Sequence, residues 1–358
     1  MSSQFVFRTA FRCLLSEFRK SCRQLRDGVS NNTRIGLNCR NIGLSSTVGL
    51  FGASRCFLGF SKKDNEKEKK DEDPIILYIK RGRLAAARKE HEDAEKFFHI
   101  ALLLADDKLR DQKMERKEYL KAKLTIYDSM ANLAFAQQQF SKAESLYKET
   151  MKALLQIGRE KTDNAMVELT IKLGTMYAIQ NKSELAKTGY LDAVNIMEEK
   201  VNKEPDSDDN TYALFGLALE SYGRYLMVQK QFEAAEPYIV RAESIATRVL
   251  GKDHPQRIVL LNDIATIQIM RENLKDAETT LNQAVEIGTT ANVPELPALH
   301  SNLGAIYLRT SKLDDAEKNC SIALSKAKEM KDKYAQGQAE FCLKKILEER
   351  KKGVMSSS

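Results

Sequence analysis

Tryptophan is absent from this chain of 358 residues, and proline (six) and glycine (17) are scarce. So few turn-formers exclude the turn-dense all-β architectures and favour long helices built from Ala, Leu, Glu and Lys. No stretch offers the roughly 20 predominantly apolar residues that a bilayer-spanning helix needs. Membrane association is therefore expected to be peripheral or partner-mediated.

Metal-ligating and nucleophilic patterns are missing as well. Four histidines are scattered along the chain. His91-Glu92 opens like a metalloprotease helix, but the second His is needed four residues on, where Glu95 stands. Asp206 to Asn210 resembles the start of a calcium loop, yet Thr211 and Leu217 occupy the positions that need Gly and Glu. There is neither a phosphate-binding loop nor a dinucleotide fingerprint. The expectation is a non-enzymatic chain with no catalytic residue, no cofactor and no metal. Of six cysteines, Cys13, Cys22, Cys39 and Cys56 precede residue 60, and only Cys320 and Cys342 follow. Two thiols do not make a disulfide framework, so a reducing compartment, or simple indifference to redox state, is expected, with both thiols free.

Acid is nearly absent from the first 60 residues, which hold nine basic residues against Glu17 and Asp27. The remaining 48 basic and 48 acidic residues balance, although the whole chain carries +7. A neutral body argues against a nucleic-acid partner. At 100° per residue Arg8, Arg12, Arg19, Arg23 and Arg26 share an arc of roughly 60°, and Phe7, Phe11, Leu14, Phe18 and Leu25 share another. This is the pattern of a mitochondrial transit peptide over 1–60. Residues 61–73 are nearly all Lys, Glu and Asp and read as a solvated linker.

From 74 to 330 one template recurs six times. Ala94, Ala143, Ala186, Ala235, Ala277 and Ala316 each lead a pattern of small, larger and small residues at 0, +4 and +7. Twelve residues earlier lie Gly82, Ala131, Gly174, Gly223, Ala265 and Gly304. Small residues on facing helices let the helices approach, and the larger one fills the gap between them. His91 and Ser183 stand where the other units carry an apolar anchor, so turns one and three are expected to be looser. Residues 331–352 read as a capping helix, and 353–358 as a disordered tail.

Leu173-Gly174 with Tyr177, and Leu303-Gly304 with Tyr307, resemble the tetratricopeptide signature. The leading alanines are spaced by 49, 43, 49, 42 and 39 residues, longer than the usual period of about 34. The implied fold is an all-α tetratricopeptide-repeat right-handed superhelical solenoid with extended repeats. Ile75-Ile76-Leu77, the stretch Tyr127 to Ala134, Asp163-Asn164-Ala165 and His254-Pro255-Gln256 resemble a mitochondrial branch of these repeat proteins. That resemblance implies association with the inner membrane and with subunits of respiratory complex III, in support of its assembly or maintenance. It also implies turnover of Rieske iron-sulfur subunit fragments, hence Rieske protein peptides as partners. Leu250 to Pro255 is similar instead to the connector of kinesin light chains, which would imply a cytoplasmic cargo adaptor; the heptad coiled coil of that family is missing from 1–73.

In this fold the first helix of each pair lines the binding groove. One turn of spacing groups Asp128 with Asn132, Glu220 with Arg224, and Asn262 with Thr266, and Arg83 and Thr175 hold equivalent places. Arg83, Asp128, Asn132, Thr175, Arg224, Asn262 and Thr266 are the candidate partner-binding residues. The Lys, Asn and Arg clamp of chaperone-tail receptors is incomplete among them.

Overall fold

The computed structural model describes residues 72–291 and 293–356. The transit peptide expected over 1–60 and nearly all of the linker lie outside the described residues.

The described chain is all-α and divides into two compact units, residues 72–203 and 204–356. The first unit holds α1 (Pro74–Ala87), α2 (His91–Arg110), α3 (Arg116–Ala136), α4 (Phe140–Gln156), α5 (Asn164–Ile179) and α6 (Ser183–Lys203). The second holds α7 (Asp209–Val228), α8 (Phe232–Leu250), α9 (Pro255–Met270), α10 (Leu274–Ala291), α11 (Leu296–Arg309), α12 (Leu313–Glu329) and α13 (Lys333–Ser356). Odd and even helices pair in sequence, three pairs in the first unit and three plus α13 in the second. The repeats outrun the usual period because several helices are long: α3 and α6 each have 21 residues.

Local chemistry sets the helix starts. The side chains of Asp73, Asp163, Asp208 and His254 accept hydrogen bonds from the backbone N–H of Ile75, Ala165, Thr211 and Gln256. Pro74 and Pro255 stand at the start of their helices, where a missing N–H costs nothing. His91 opens α2, and Asp209 and Asn210 of the acidic run belong to α7.

Each turn inside a pair is built alike. Five residues before each leading alanine, Lys89, Gln138, Asn181, Lys230, Glu272 and Ser311 adopt left-handed conformations, with φ between 57° and 66°. The next N–H reaches back over the turn, as in Glu90 to Ala85, Lys182 to Tyr177 and Asn273 to Gln268, at 2.8–3.0 Å. This is the Schellman closure of a helix end. Turns one and three are therefore no looser than the rest: the backbone closure sets the path, and the apolar anchor is not needed for it. A side chain in this conformation is strained and glycine is not. Lys230→Gly is expected to raise stability by about 0.5–1 kcal/mol, measured by urea denaturation.

All six leading alanines are fully buried. The small residue on the first helix faces the larger one of the second, and tightness varies among pairs. A Cβ at Gly223 would lie 2.7 Å from Ile239 Cδ1, whereas one at Gly174 would lie 3.3 Å from Tyr190 Cδ1. Gly223→Ala should cost about 1–3 kcal/mol through overpacking. At Gly174 the helix propensity of alanine, worth up to about 1 kcal/mol, opposes a mild contact; Gly174→Ala is expected within about 0.5 kcal/mol of the parent. Thermal denaturation of the two variants side by side checks the contrast.

The C-terminus departs from expectation twice. Helix α13 runs past 352 to Ser356, into the segment expected to be disordered. It buries Ala335, Ala339, Cys342 and Ile346, while Phe341 and Leu347 stay exposed. Cys320 and Cys342 are not free thiols but a disulfide joining α12 to α13. Cysteine count alone could not show that the two helices lie side by side.

Candidate protein-binding site

In each unit the first helices of successive pairs form a row of polar contacts. In the first unit Arg83 of α1 donates through Nε to Ser129 Oγ of α3 at 3.2 Å. Asp128 of α3 accepts from Lys172 Nζ of α5 at 2.8 Å and from Asn132 Nδ2 at 3.1 Å. Lys172 also pairs with Glu168, one turn back, at 3.0 Å. Its side chain is only 1% exposed, so the ammonium depends on these two carboxylates. Burial alone would lower the Lys172 pKa, but Asp128 and Glu168 outweigh it and hold it above the ordinary lysine value. Burial, together with the charge of Asp128, pushes the Glu168 carboxyl upward against the pull of Lys172. Arg83 shifts downward by burial, against the pull of Asp128.

The second unit repeats the arrangement with different residues. Arg224 of α7 donates through Nε to Asp263 of α9 at 2.7 Å and pairs with Glu220 on its own helix at 2.7 Å. Gln256 donates to Glu220 at 2.8 Å. Asp263 is fully buried and Arg224 nearly so. Desolvation opposes the Arg224 charge, but Asp263 and Glu220 raise its pKa; burial pushes Glu220 up, with Arg224 opposing. Farther along, Asn302 of α11 donates to Asn262 Oδ1 of α9 at 2.9 Å, and Thr266 Oγ1 donates to the Asn262 carbonyl at 2.8 Å.

One register rule covers four of these contacts. A residue three before or one after the small residue of one first helix bonds the residue two before the small residue of the next. Arg83–Ser129, Asp128–Lys172, Arg224–Asp263 and Asn262–Asn302 all obey it. A second rule acts within pairs: the large tyrosine of the second helix donates its hydroxyl to the residue after the small one. Tyr147 reaches Asn132 Oδ1 at 2.8 Å and Tyr190 reaches Thr175 Oγ1 at 2.9 Å.

All seven residues singled out from sequence therefore lie on first helices. Within the first unit Asp128 and Asn132 are in contact with each other, while Arg83 and Thr175 bond other neighbours; in the second, Asn262 and Thr266 touch and Arg224 joins Asp263 and Glu220. Much of their bonding capacity is spent inside the fold. Ser129, Lys172, Asp263 and Asn302, the partners across the repeat boundaries, were missed. Their signal is a polar residue two before the small position, in step with a polar residue on the preceding first helix. Three buried polar atoms of the second unit, Ser221 Oγ, Arg224 Nη2 and Ser301 Oγ, have no hydrogen-bond partner among the described residues. Among the described residues no cluster of His, Cys, Asp and Glu could hold a metal ion, and no helix is long and apolar enough to cross a membrane.

A tetratricopeptide repeat family model matches residues 211–289, within the second unit. The chain is 36% identical to "Tetratricopeptide repeat protein 19, mitochondrial" of Rattus norvegicus, over 73% of this chain and 71% of that protein. It is 35% identical to the Homo sapiens protein of that name, over 77% and 72%, and 28% identical to the Drosophila melanogaster homolog, over 84% and 76%. Among solved structures, BtubC (BKLC) from P. vanneervenii shares the fold at a TM-score of 0.52 and 18% identity, over 73% of this chain and 92% of that one. Aspartyl phosphate phosphatase F from Bacillus subtilis does so at 0.55 and 13%, over 81% and 84%. These two likenesses concern the fold alone.

Proposed function

Since the chain belongs to the family of mitochondrial tetratricopeptide repeat protein 19, a family of protein-binding repeat scaffolds, we propose that it works without catalysis at the inner mitochondrial membrane. There it supports the assembly or maintenance of respiratory complex III, including the turnover of fragments of the Rieske iron-sulfur subunit. The observation that carries this reading is identity above one third to named mitochondrial relatives over more than 70% of both chains. The acid-poor leader supports it from the sequence.

The structure contributes a means of binding. First helices stiffened by the Arg83, Asp128, Arg224 and Asn262 contacts present a preformed surface, so little ordering entropy is lost when a peptide or helix settles on it.

The test is native-gel separation of mild-detergent extracts of mitochondria carrying the tagged chain, followed by detection of Rieske fragments in cells that lack it. Co-migration with complex III and accumulation of fragments are expected. A tagged full-length chain found in the cytosol would instead favour the cargo-adaptor reading.

A further inference from the structure

We propose that the Cys320–Cys342 disulfide is a structural latch of the C-terminal helix, and that the described part of the chain resides on the oxidising, intermembrane-space side of the inner mitochondrial membrane. The second half of this statement rests on the mitochondrial placement proposed above.

The repeat template shows what the bond is for. Sixteen residues after the small residue, five pairs carry a large buried side chain: Phe98, Tyr147, Tyr190, Ile239 and Leu281. The sixth pair carries Cys320, too small to fill that gap by itself. Cys342 enters from α13 and completes the volume, and Cys320 is fully buried while Cys342 is 9% exposed. The fit is close. A Cβ at Gly304 would collide with Cys320 Sγ and lie 3.3 Å from Cys342 Sγ.

Helix α13 also needs the bond more than other helices would. It offers Ala335, Ala339 and Ile346 to the core besides Cys342, adds a half-buried Leu343, and leaves Phe341 and Leu347 outside. Such a narrow apolar face holds a terminal helix weakly. A cross-link between residues 22 apart in sequence removes much of the freedom of the detached helix.

Formation is a thiol–disulfide exchange. One cysteine thiolate attacks the disulfide of an oxidoreductase and releases one of its thiolates, and the other cysteine then attacks the resulting mixed disulfide and expels the second. Cys320 and Cys342 together lose two electrons and two protons, and the donor leaves as a dithiol. A compartment kept reduced by glutathione and thioredoxin works against this exchange during folding. Of the two aqueous compartments of the mitochondrion, the intermembrane space is the oxidising one.

The body beyond residue 60 contains just these two cysteines, so the readout is clean. Mitochondria containing the chain are quenched in acid, free thiols are blocked with a small maleimide, and the sample is labelled with a polyethylene-glycol maleimide with or without prior reduction. Two adducts should appear on the processed chain after reduction and none before it. In parallel, external protease should reach the chain once the outer membrane is ruptured and the inner one is intact. Chain blocked by maleimide before reduction, so that reduction yields no adducts, would overturn the latch. Protection until the inner membrane is breached would overturn the compartment assignment. An oxidised chain found outside mitochondria would sink the mitochondrial reading and leave the latch standing. Finally, Cys320→Leu with Cys342→Ala refills the gap without a covalent bond. Amide exchange in α13 should then quicken roughly a hundredfold, with the other helices unchanged; unchanged exchange in α13 would overturn the latch role.

Discussion

Arg224→Ala is expected to destabilise the second unit by about 3–5 kcal/mol, because it strands a fully buried Asp263 and a nearly buried Glu220 without their cation. The loss does not measure the worth of the ion pair. It is dominated by two carboxylates that have left water and lost the positive charge that offset their burial. The double variant Arg224→Met with Asp263→Leu removes cation and partner together and substitutes apolar volume. It should therefore recover the part of the loss that Asp263 causes, while Glu220 still lacks its cation, and the coupling energy between Arg224 and Asp263 should be about 2 kcal/mol or more. Urea denaturation of the parent, both single variants and the double variant gives that energy. Additive single effects would mean that Arg224 and Asp263 do not depend on each other.

Lys172→Met is expected to cost the first unit a similar amount at pH 7, about 3–5 kcal/mol, and the deficit should shrink as pH falls. In the parent, burial already raises the Glu168 pKa, and Lys172 is what keeps it from rising further. Without the ammonium, the folded-state pKa of Glu168 moves up further. A carboxyl whose folded pKa lies above its unfolded value binds its proton more tightly in the folded state. The variant therefore loses most stability above the raised folded pKa and regains it as pH falls toward the unfolded value near 4. Denaturation midpoints of parent and variant from pH 7 to pH 4 should converge. Parallel curves would show that Glu168 does not feel Lys172. Lys172→Arg keeps the charge in a larger head and should fall between parent and Lys172→Met.

The matched pair of triads, Glu168–Lys172–Asp128 and Glu220–Arg224–Asp263, bears on binding as well as on stability. Each couples adjacent first helices, α3 to α5 and α7 to α9. Loosening either one lets the corresponding first helices shift, so these substitutions are expected to weaken complex association even where they touch no partner atom.

Much of this protein was determined by its sequence alone. Helix packing demands small residues wherever two backbones approach, and that demand recurs in register from Gly82 to Gly304 and from Ala94 to Ala316. Six helix pairs were therefore countable without coordinates, and the full burial of every leading alanine follows from the same demand. The first helices that hold Arg83, Asp128, Asn132, Thr175, Arg224, Asn262 and Thr266 could be read off the same register.

Tertiary structure alone decided what those residues do. The partners of Arg83, Asp128, Arg224 and Asn262 lie 39 to 46 residues away, across variable spacers, and periodicity along one helix carries no information about the register between two. The turns were hidden for a different reason. Their left-handed residues are Lys, Gln, Asn, Glu and Ser instead of glycine, because backbone closure at the helix end outweighs a conformational cost of about 1 kcal/mol. The Cys320–Cys342 bond was the least legible feature. Two cysteines 22 residues apart become neighbours only when α13 folds back on α12, a fact of packing that no residue count contains.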